Sequence, residues 1–260
     1  MATLLDIRDL HITVGGRALV DGVDITVDPG EVVGLAGESG SGKTLTALTA
    51  LGFLPDNATT SGQVLLDGQD LLALDAKALR RLRGDRVAMV FQDPMTSLHP
   101  MLTIETQLTE HQRVHRSLTR KQARERAIEL LDRVRIPDPH VAIRSYPHRF
   151  SGGMRQRISI ASALACEPEL LIADEVTTAL DVTVQAGILN LLQGLREELG
   201  MAMLFITHDL AVMNVVSDRL YVMRSGKVVE SGVTRDVLAE PQHEYTRALV
   251  DALPDTEVAR

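Results

Sequence analysis

A glycine-rich segment followed by lysine and threonine is the clearest chemical signal in the chain. Residues 37–44 read GESGSGKT and match the pattern G-x-x-x-x-G-K-[ST] at every defined position. Glycines let successive backbone N–H groups turn towards phosphate oxygens, and a following helix adds the positive end of its dipole. We therefore expect Lys43 to reach the β- and γ-phosphates of ATP and Thr44 to hold Mg²⁺. The predicted ATP-binding residues here are Gly37, Glu38, Ser39, Gly40, Ser41, Gly42, Lys43, Thr44 and Leu45.

Two adjacent carboxylates follow an apolar run later in the chain. Residues 170–173 read LLIA and are followed by Asp174 and Glu175. A buried strand that ends in two acids can place one beside Mg²⁺ and the other beside an attacking water. We expect Asp174 to be the metal-side residue and Glu175 to be the general base.

Three weaker signals, at Ser151, Gln92 and His208, become informative only through their order along the chain. Ser151, with Gly152, Gly153 and Met154, precedes a helical periodicity and offers a hydroxyl and backbone amides to a phosphate. By itself this segment is typical of an ordinary helix cap. A helical insertion would hold it away from the loop at residues 37–44 within one subunit, so a partner's nucleotide is the alternative ligand.

Gln92 and His208 are single polar residues that each follow a predicted strand. Gln92 comes after the strand at residues 86–91 and before the predicted insertion, where it could touch Mg²⁺ and report on the insertion's position. His208 comes after the strand at 202–206 and could contact the γ-phosphate. Taken alone, Gln92 is more typical of an ordinary polar residue at the surface, and His208 is more typical of an ordinary histidine at a helix start.

The elements that must position these residues follow an interrupted α/β pattern. Strands are predicted at residues 4–14, 18–27, 31–36, 63–66, 86–91, 170–173, 202–206, 220–223 and 227–230. Helices are predicted at 43–53, 75–82, 120–134 and 182–199. Strand-like runs disappear between residues 94 and 165, which predicts a helical insertion in one core.

Composition narrows the class of protein. The 260 residues carry 27 Lys and Arg against 35 Asp and Glu, a net charge of -8, which gives no basic surface for nucleic acid. We expect no membrane span and no signal peptide, because the first residues are acidic and no apolar run is long enough. The single cysteine, Cys166, is predicted to be a buried small residue rather than a metal ligand.

The order of these motifs resembles that in the nucleotide-binding subunit of an ABC transporter, and the resemblance covers essentially the whole chain. After the glycine-rich loop, the matching residues are Gln92, Ser151, Asp174, Asp181 and His208. In that family's terms they are the Q-loop, signature, Walker B, D-loop and switch histidine, with Walker A at residues 37–44. Longer strings are similar to the dipeptide, oligopeptide and nickel importer branch; they lie at residues 91–98, 146–148, 152–157 and 245–249.

The resemblance implies a fold and a domain arrangement. The expected fold is α/β, a P-loop NTPase (RecA-like) core with an N-terminal antiparallel β layer and an inserted α-helical subdomain. One ATP-binding domain would span residues 1–260. Its core would comprise 1–92 and 166–254 and its helical subdomain 93–165, while 255–260 would form a frayed tail.

The resemblance also implies partners, cofactors and a place of action. Two ATP-binding subunits, identical or sister chains, would meet head to tail and drive two permease subunits at the cytoplasmic face of the membrane, served by a solute-binding protein. ATP and Mg²⁺ are the expected cofactors, with Thr44, Gln92 and Asp174 as metal-side residues. No iron–sulfur cluster and no nucleic acid are expected.

Two positions depart from the family pattern. Val14 stands where the family usually stacks an aromatic residue on adenine, so the base would be met by aliphatic contact or by the partner. Val176 stands where proline commonly follows the catalytic glutamate.

Other functions remain open at this stage. An importer for nickel or a metal chelate is the alternative to a peptide importer. A P-loop kinase would leave Ser151 and His208 without a role, and a soluble ABC ATPase would need coiled-coil arms, a second cassette or a basic face.

Overall fold

The computed structural model describes residues 3–178 and 180–253, without the side chains of Met95 and Thr96. Ala179 and the predicted frayed tail at 255–260 therefore lie outside the described residues. The chain forms two compact units. The first unit comprises Met1–Leu79 with Gly200–Arg260, and the second comprises Arg80–Leu199. The predicted helical subdomain at 93–165 falls within the second unit, and its independence stays a prediction.

Ten strands and eleven α-helices make up the described elements. The strands are β1 Leu5–Val14, β2 Arg17–Val27, β3 Val32–Ala36, β4 Ala58–Leu66, β5 Gln69–Asp70, β6 Val87–Val90, β7 Leu170–Asp174, β8 Ala202–Ile206, β9 Arg219–Arg224 and β10 Lys227–Val233. The helices are α1 Lys43–Thr49, α2 Ala76–Leu82, α3 Pro94–Ser97, α4 Ile104–His115, α5 Arg120–Arg133, α6 Pro139–Ala142, α7 Gly152–Ala163, α8 Val182–Leu199, α9 Leu210–Val216, α10 Thr234–Ala239 and α11 Glu244–Asp251. Two short 3-10 helices lie at Leu71–Ala73 and Pro147–Arg149.

An antiparallel sheet in the order β2-β1-β4-β5 forms one part of the first unit. β1 and β2 form a hairpin in which Val14 pairs with Arg17. The two residues between them, Gly15 and Gly16, have φ of 57° and 81°, the geometry that a two-residue hairpin turn needs. This sheet is the N-terminal β layer expected from the sequence.

Parallel strands form the second part of the first unit. β3 lies between β8 and β9 and runs parallel to both, with Gly34 opposite Phe205 on one side and Leu220 on the other. All five residues of β3 are buried, which explains its continuous apolar sequence. β9 and β10 then form an antiparallel hairpin at the edge. The carboxyl end of β3 is therefore held firmly at the point where the glycine-rich loop begins.

The second unit combines a parallel strand pair with helices. β6 and β7 pair in parallel, and Val90 lies opposite Ala173. α5 begins with a capping box between Thr119 and Gln122, and its buried face carries a stripe of aliphatic residues. Between residues 94 and 165, all of them described, no strand occurs, as the sequence predicts.

Several boundaries differ from the predicted ones. The helix predicted at residues 43–53 ends at Thr49, because Gly52 adopts φ 61° and Phe53 N–H bonds to the Leu48 carbonyl, which closes the helix. β4 begins at Ala58 rather than Gln63, since its first half is an exposed polar strand without the apolar signal. β10 continues to Val233, past its predicted end at Glu230.

Candidate functional site

The loop between β3 and α1 has a backbone that requires glycine at its first position. Gly37 has φ 143°, and a Cβ there would lie 2.1 Å from the Met223 carbonyl oxygen of β9. Gly42, just before α1, has φ 103° and lies close to the Leu19 carbonyl. Only glycine accommodates this close approach of two backbones. The loop is thus packed against β9 and the β1–β2 hairpin within one compact unit.

Lys43 is buried inside the curve of this loop. Its side chain is only 5% exposed, and Nζ donates to the carbonyl oxygens of Gly37 at 2.7 Å and Glu38 at 2.8 Å. An ammonium group can be buried only when its donors are satisfied, and these two carbonyls fix its position.

The rest of the loop fits a phosphate ligand. Ser41 Oγ is buried, and among the described residues it has no hydrogen-bond partner. A buried hydroxyl without a partner is costly unless a ligand supplies one. Thr44 is exposed and Leu45 is half-buried in the first turn of α1. The predicted ATP-binding residues therefore form one continuous loop and helix start in the first unit.

The two predicted acids of the second unit occupy different environments. Asp174 is the last residue of β7 and is 5% exposed. Glu175 follows in a half-buried position with φ 47°, a left-handed backbone conformation that is rare for glutamate. Strained backbone of this kind is common at functional sites, where the surrounding structure maintains it.

Gln92 contacts Glu175 directly. Gln92 Nε2 donates to Glu175 Oε2 at 2.8 Å, although 83 residues separate the two in sequence. The sequence predicted a role for each residue but not this bond. β6 and β7 explain it, because they are adjacent parallel strands and the two residues follow their carboxyl ends.

Thr178 also contacts Glu175, although no sequence motif predicts it. Its Oγ1 donates to the same Oε2 at 3.2 Å, and its backbone N–H bonds to the Glu175 carbonyl at 3.0 Å. The spacing Glu-x-x-Thr is the only sequence signal for this turn. The carboxylate of Glu175 is therefore held at one oxygen by two donors.

The predicted signature segment begins α7. Ser151 is the N-cap, and its hydroxyl accepts from Met154 N–H at 3.3 Å. Gly152 is exposed, whereas a Cβ on Gly153 would lie 2.7 Å from Val184 Cγ1 of α8. The second glycine therefore lets α7 and α8 pack closely, and the first leaves backbone accessible to solvent.

The remaining predicted residues lie at element ends. Asp181 accepts from Val184 N–H at 3.0 Å and so caps the start of α8; Ala179, its neighbour in the predicted D-loop, lies outside the described residues. His208 is exposed two residues after β8, and Val14 is half-buried at the end of β1.

Cys166 is buried, as predicted, and burial raises the pKa of its thiol, which disfavours the thiolate that binds metals.

Comparison with known proteins establishes the class to which this loop, strand and helix arrangement belongs. The model of the ABC transporter family matches residues 20–178, more than half of the chain. The chain therefore belongs to the ABC transporter family and is an ABC ATPase, which binds and hydrolyses ATP. A P-loop kinase acting on a small acceptor is inconsistent with this membership.

Relatives within the family align along nearly the whole chain. A protein of Sinorhizobium fredii named as a peptide ABC transporter ATP-binding protein is 48% identical over 99% of this chain and 78% of its own. A Brucella melitensis protein named as a peptide import ATP-binding protein is 50% identical over 96% of this chain and 78% of its own. A peptidoglycan transport ATP-binding protein of Agrobacterium fabrum is 51% identical over 98% of this chain but only 48% of its own length.

Solved structures confirm the predicted fold class. CbiO1 from Clostridium perfringens, part of an ABC transporter complex, has a TM-score of 0.79 at 28% identity and covers 92% of both chains. A dimeric ATP-binding cassette in a post-hydrolysis state with ADP and Pi has a TM-score of 0.78 at 27% identity, covering 88% of this chain and 98% of that one. Among the residues described here, no helix is both long and apolar enough to span a bilayer.

Proposed function

We propose that this chain energises the import of di- or oligopeptides by coupling ATP hydrolysis to the movement of two permease subunits. The hydrogen bond from Gln92 to Glu175 carries the proposal. It joins the predicted general base to the residue that directly precedes the helical segment at 93–165. A displacement of that segment would then change the orientation of the Glu175 carboxylate. A transport motor needs such a link between ATP hydrolysis and the conformation of its permease partner.

ATP is bound, in this proposal, by the loop at residues 37–44 together with Leu45 and Val14. The curled backbone and Lys43 would hold the phosphates, while Val14 would meet the adenine by aliphatic contact. The orphaned hydroxyl of Ser41 and the buried ammonium of Lys43 support this assignment.

We assign Thr44, Gln92 and Asp174 to Mg²⁺. Their hydroxyl, amide and carboxylate oxygens are the hard ligands that this ion prefers, and Mg²⁺ keeps most of its remaining coordination for water and phosphate. Mg²⁺ held by these three residues would offset the negative charge of the ATP phosphates. The near-complete burial of Asp174 at a strand end suits a carboxylate whose charge is balanced by a cation.

Glu175 would accept the proton of the attacking water, and His208 would steady the γ-phosphate. The bonds from Gln92 and Thr178 leave the Glu175 carboxylate in a defined orientation. A base that is already oriented avoids the entropic cost of finding its geometry during the reaction.

A second ATP-binding subunit, identical or a sister chain, would complete each nucleotide site in a head-to-tail dimer. Ser151, Gly152, Gly153 and Met154 would face the partner's γ-phosphate, and Asp181 would lie at the dimer interface. The exposed Ser151 and Gly152 at the start of the 12-residue helix α7 offer backbone N–H groups for this role. The dimer would act at the cytoplasmic face of the membrane and would be served by a solute-binding protein.

Peptide cargo is supported by the names of the relatives, which agree with the branch indicated by residues 91–98 and 245–249. The test reconstitutes the chain with its cognate permeases, sister subunit and binding protein in proteoliposomes. Dipeptide or oligopeptide should stimulate ATP hydrolysis and accumulate inside. Stimulation by nickel or a nickel chelate, with none by peptides, would replace the peptide assignment by the alternative.

Replacing Gln92 by alanine tests the link between the helical segment and the base. We expect Q92A to lower kcat for ATP about tenfold, because the base loses an orienting donor and Mg²⁺ loses an amide oxygen, while KM stays within twofold because the loop at residues 37–44 is untouched. Steady-state ATPase assays on the assembled transporter measure both constants. Gln63 is an exposed glutamine of β4, and Q63A is the matched control. A normal kcat for Q92A would remove this residue from the coupling scheme.

A further inference from the structure

Tyr245 of α11 touches the phosphate-binding loop. Its hydroxyl oxygen accepts a hydrogen bond from the backbone N–H of Glu38 at 2.9 Å, across 207 residues of sequence. Glu38 is the second residue of the loop. None of the roles described so far uses Tyr245, although it begins the string at 245–249 that marks the importer branch.

α11 is anchored so that the position of Tyr245 is defined. The carboxylate of Glu230 in β10 accepts from Gln242 N–H at 2.7 Å and His243 N–H at 3.0 Å, directly before the helix. Burial raises the pKa of Glu230, but these two backbone bonds and the nearby Thr246 side chain outweigh it and hold that pKa below its ordinary value. The carboxylate thus stays ionised as an acceptor at neutral pH.

The ring and the hydroxyl of Tyr245 make separate contacts. The guanidinium of Arg224, the last residue of β9, lies over the ring with Cζ 4.8 Å from its centroid. Such a cation–π contact depends on the ring face and not on the hydroxyl. The hydroxyl can therefore be removed without losing the contact that docks the ring.

The Glu38 N–H belongs to the same planar peptide group as the Gly37 carbonyl. In a trans peptide these two groups point in opposite directions. The N–H end binds Tyr245, and the carbonyl end accepts from Lys43 Nζ at 2.7 Å. One peptide plane therefore connects the Tyr245 hydroxyl on one side with the Lys43 ammonium on the other.

We infer that Tyr245 is a positioning residue for nucleotide binding, which fixes the Gly37–Glu38 peptide so that its carbonyl holds the Lys43 ammonium in place for the ATP phosphates. The inference rests on the proposed role of residues 37–44 in binding ATP. Without the hydroxyl this peptide can rotate, as the flanking glycine permits, and the ammonium loses a defined acceptor.

The test is the variant Y245F, in which only the hydroxyl is lost. We expect the Kd for ATP to rise about fivefold, the effect of one neutral hydrogen bond, measured by titration calorimetry on the full chain. Steady-state hydrolysis should show a similar rise in KM with kcat within twofold, because neither Glu175 nor its contacts are altered. A purely structural role would lower the melting temperature without this split between KM and kcat.

Y221F is the matched control in the same compact unit. The Tyr221 hydroxyl also accepts from a backbone amide, that of Thr26 at 3.2 Å, and its ring also lies beneath an arginine, Arg219. Y221F should lower the melting temperature and leave the Kd for ATP within twofold of wild type.

Two outcomes would overturn the inference. One is a Y245F chain that binds ATP as tightly as wild type, and the other is an equal loss of affinity in Y221F. If the wild-type chain itself failed to bind ATP, the proposed function would fall instead, so the two failures are distinguishable.

Discussion

Glu175→Gln is expected to bind ATP with wild-type affinity and to hydrolyse it about a hundred- to a thousandfold more slowly. The variant removes the proton acceptor, and general-base catalysis contributes a factor of about 10²–10⁴. It preserves shape, because the amide oxygen can accept from Gln92 and Thr178 as Oε2 does. The chain should therefore accumulate as an ATP-bound closed dimer, visible by size-exclusion chromatography in the presence of ATP.

The matched control for this variant is E169Q. Glu169 lies six residues earlier in the same unit, is half-exposed, and pairs with Arg86 at 2.6 Å. The same change of carboxylate to amide there weakens a bidentate ion pair outside the predicted site and should leave kcat unaltered. If E175Q turned over ATP at the wild-type rate, Glu175 would not be the base.

Lys43→Ala should lower ATP affinity about a hundredfold, the effect of removing charged hydrogen bonds to phosphate. The loss should appear as a raised Kd in titration calorimetry. The variant also removes the Lys43 donor from the Gly37 and Glu38 carbonyls, although Ser41 N–H still bonds to the Glu38 carbonyl at 3.2 Å, so a modest drop in melting temperature should accompany it. K77A, at an exposed lysine of α2, is the control and should change neither quantity. Unchanged ATP binding in K43A would contradict the assignment of the loop.

The parts of the site formed by consecutive residues could be predicted from the sequence. The loop at 37–44 has its glycines, lysine and threonine at fixed spacing between a buried strand and a helix, so local chemistry alone defines it. The Ser-Gly-Gly segment at Ser151 is typical of a helix cap for the same reason, and the structure confirms the cap. The acids that end β7 follow a continuous apolar run, which is typical of a buried parallel strand.

Contacts between distant residues could not be predicted. The bond between Gln92 and Glu175 depends on β6 and β7 being neighbours, and the bond between Glu38 and Tyr245 depends on how α11 docks. Neither leaves a local pattern in the residues themselves. Pairing of strands far apart in sequence is decided by packing of the whole core rather than by nearby residue types.

Helix α4 shows why some elements were missed. Its buried positions include Ile104 and Leu108, but also Thr109 and Gln112, so the apolar stripe that predicts a helix is interrupted by polar residues. Gln112 Nε2 and Thr109 Oγ1 donate to carbonyls one turn earlier in the same helix, while Gln112 Oε1 is buried without a hydrogen-bond partner among the described residues. Polar residues that bond within their own helix can be buried without leaving a hydrophobic signal.

The place of β3 between β8 and β9 has a consequence for biosynthesis. Both neighbours of β3 are translated roughly 170 residues or more after it, so the wholly apolar strand leaves the ribosome without its partners. Until the last quarter of the chain emerges, the strand is a site for chaperone binding or aggregation. A nascent or truncated polypeptide that ends after β7 would carry every motif up to Glu175 and still lack an assembled phosphate loop. Premature termination should therefore yield a degraded fragment rather than a partner that competes for nucleotide.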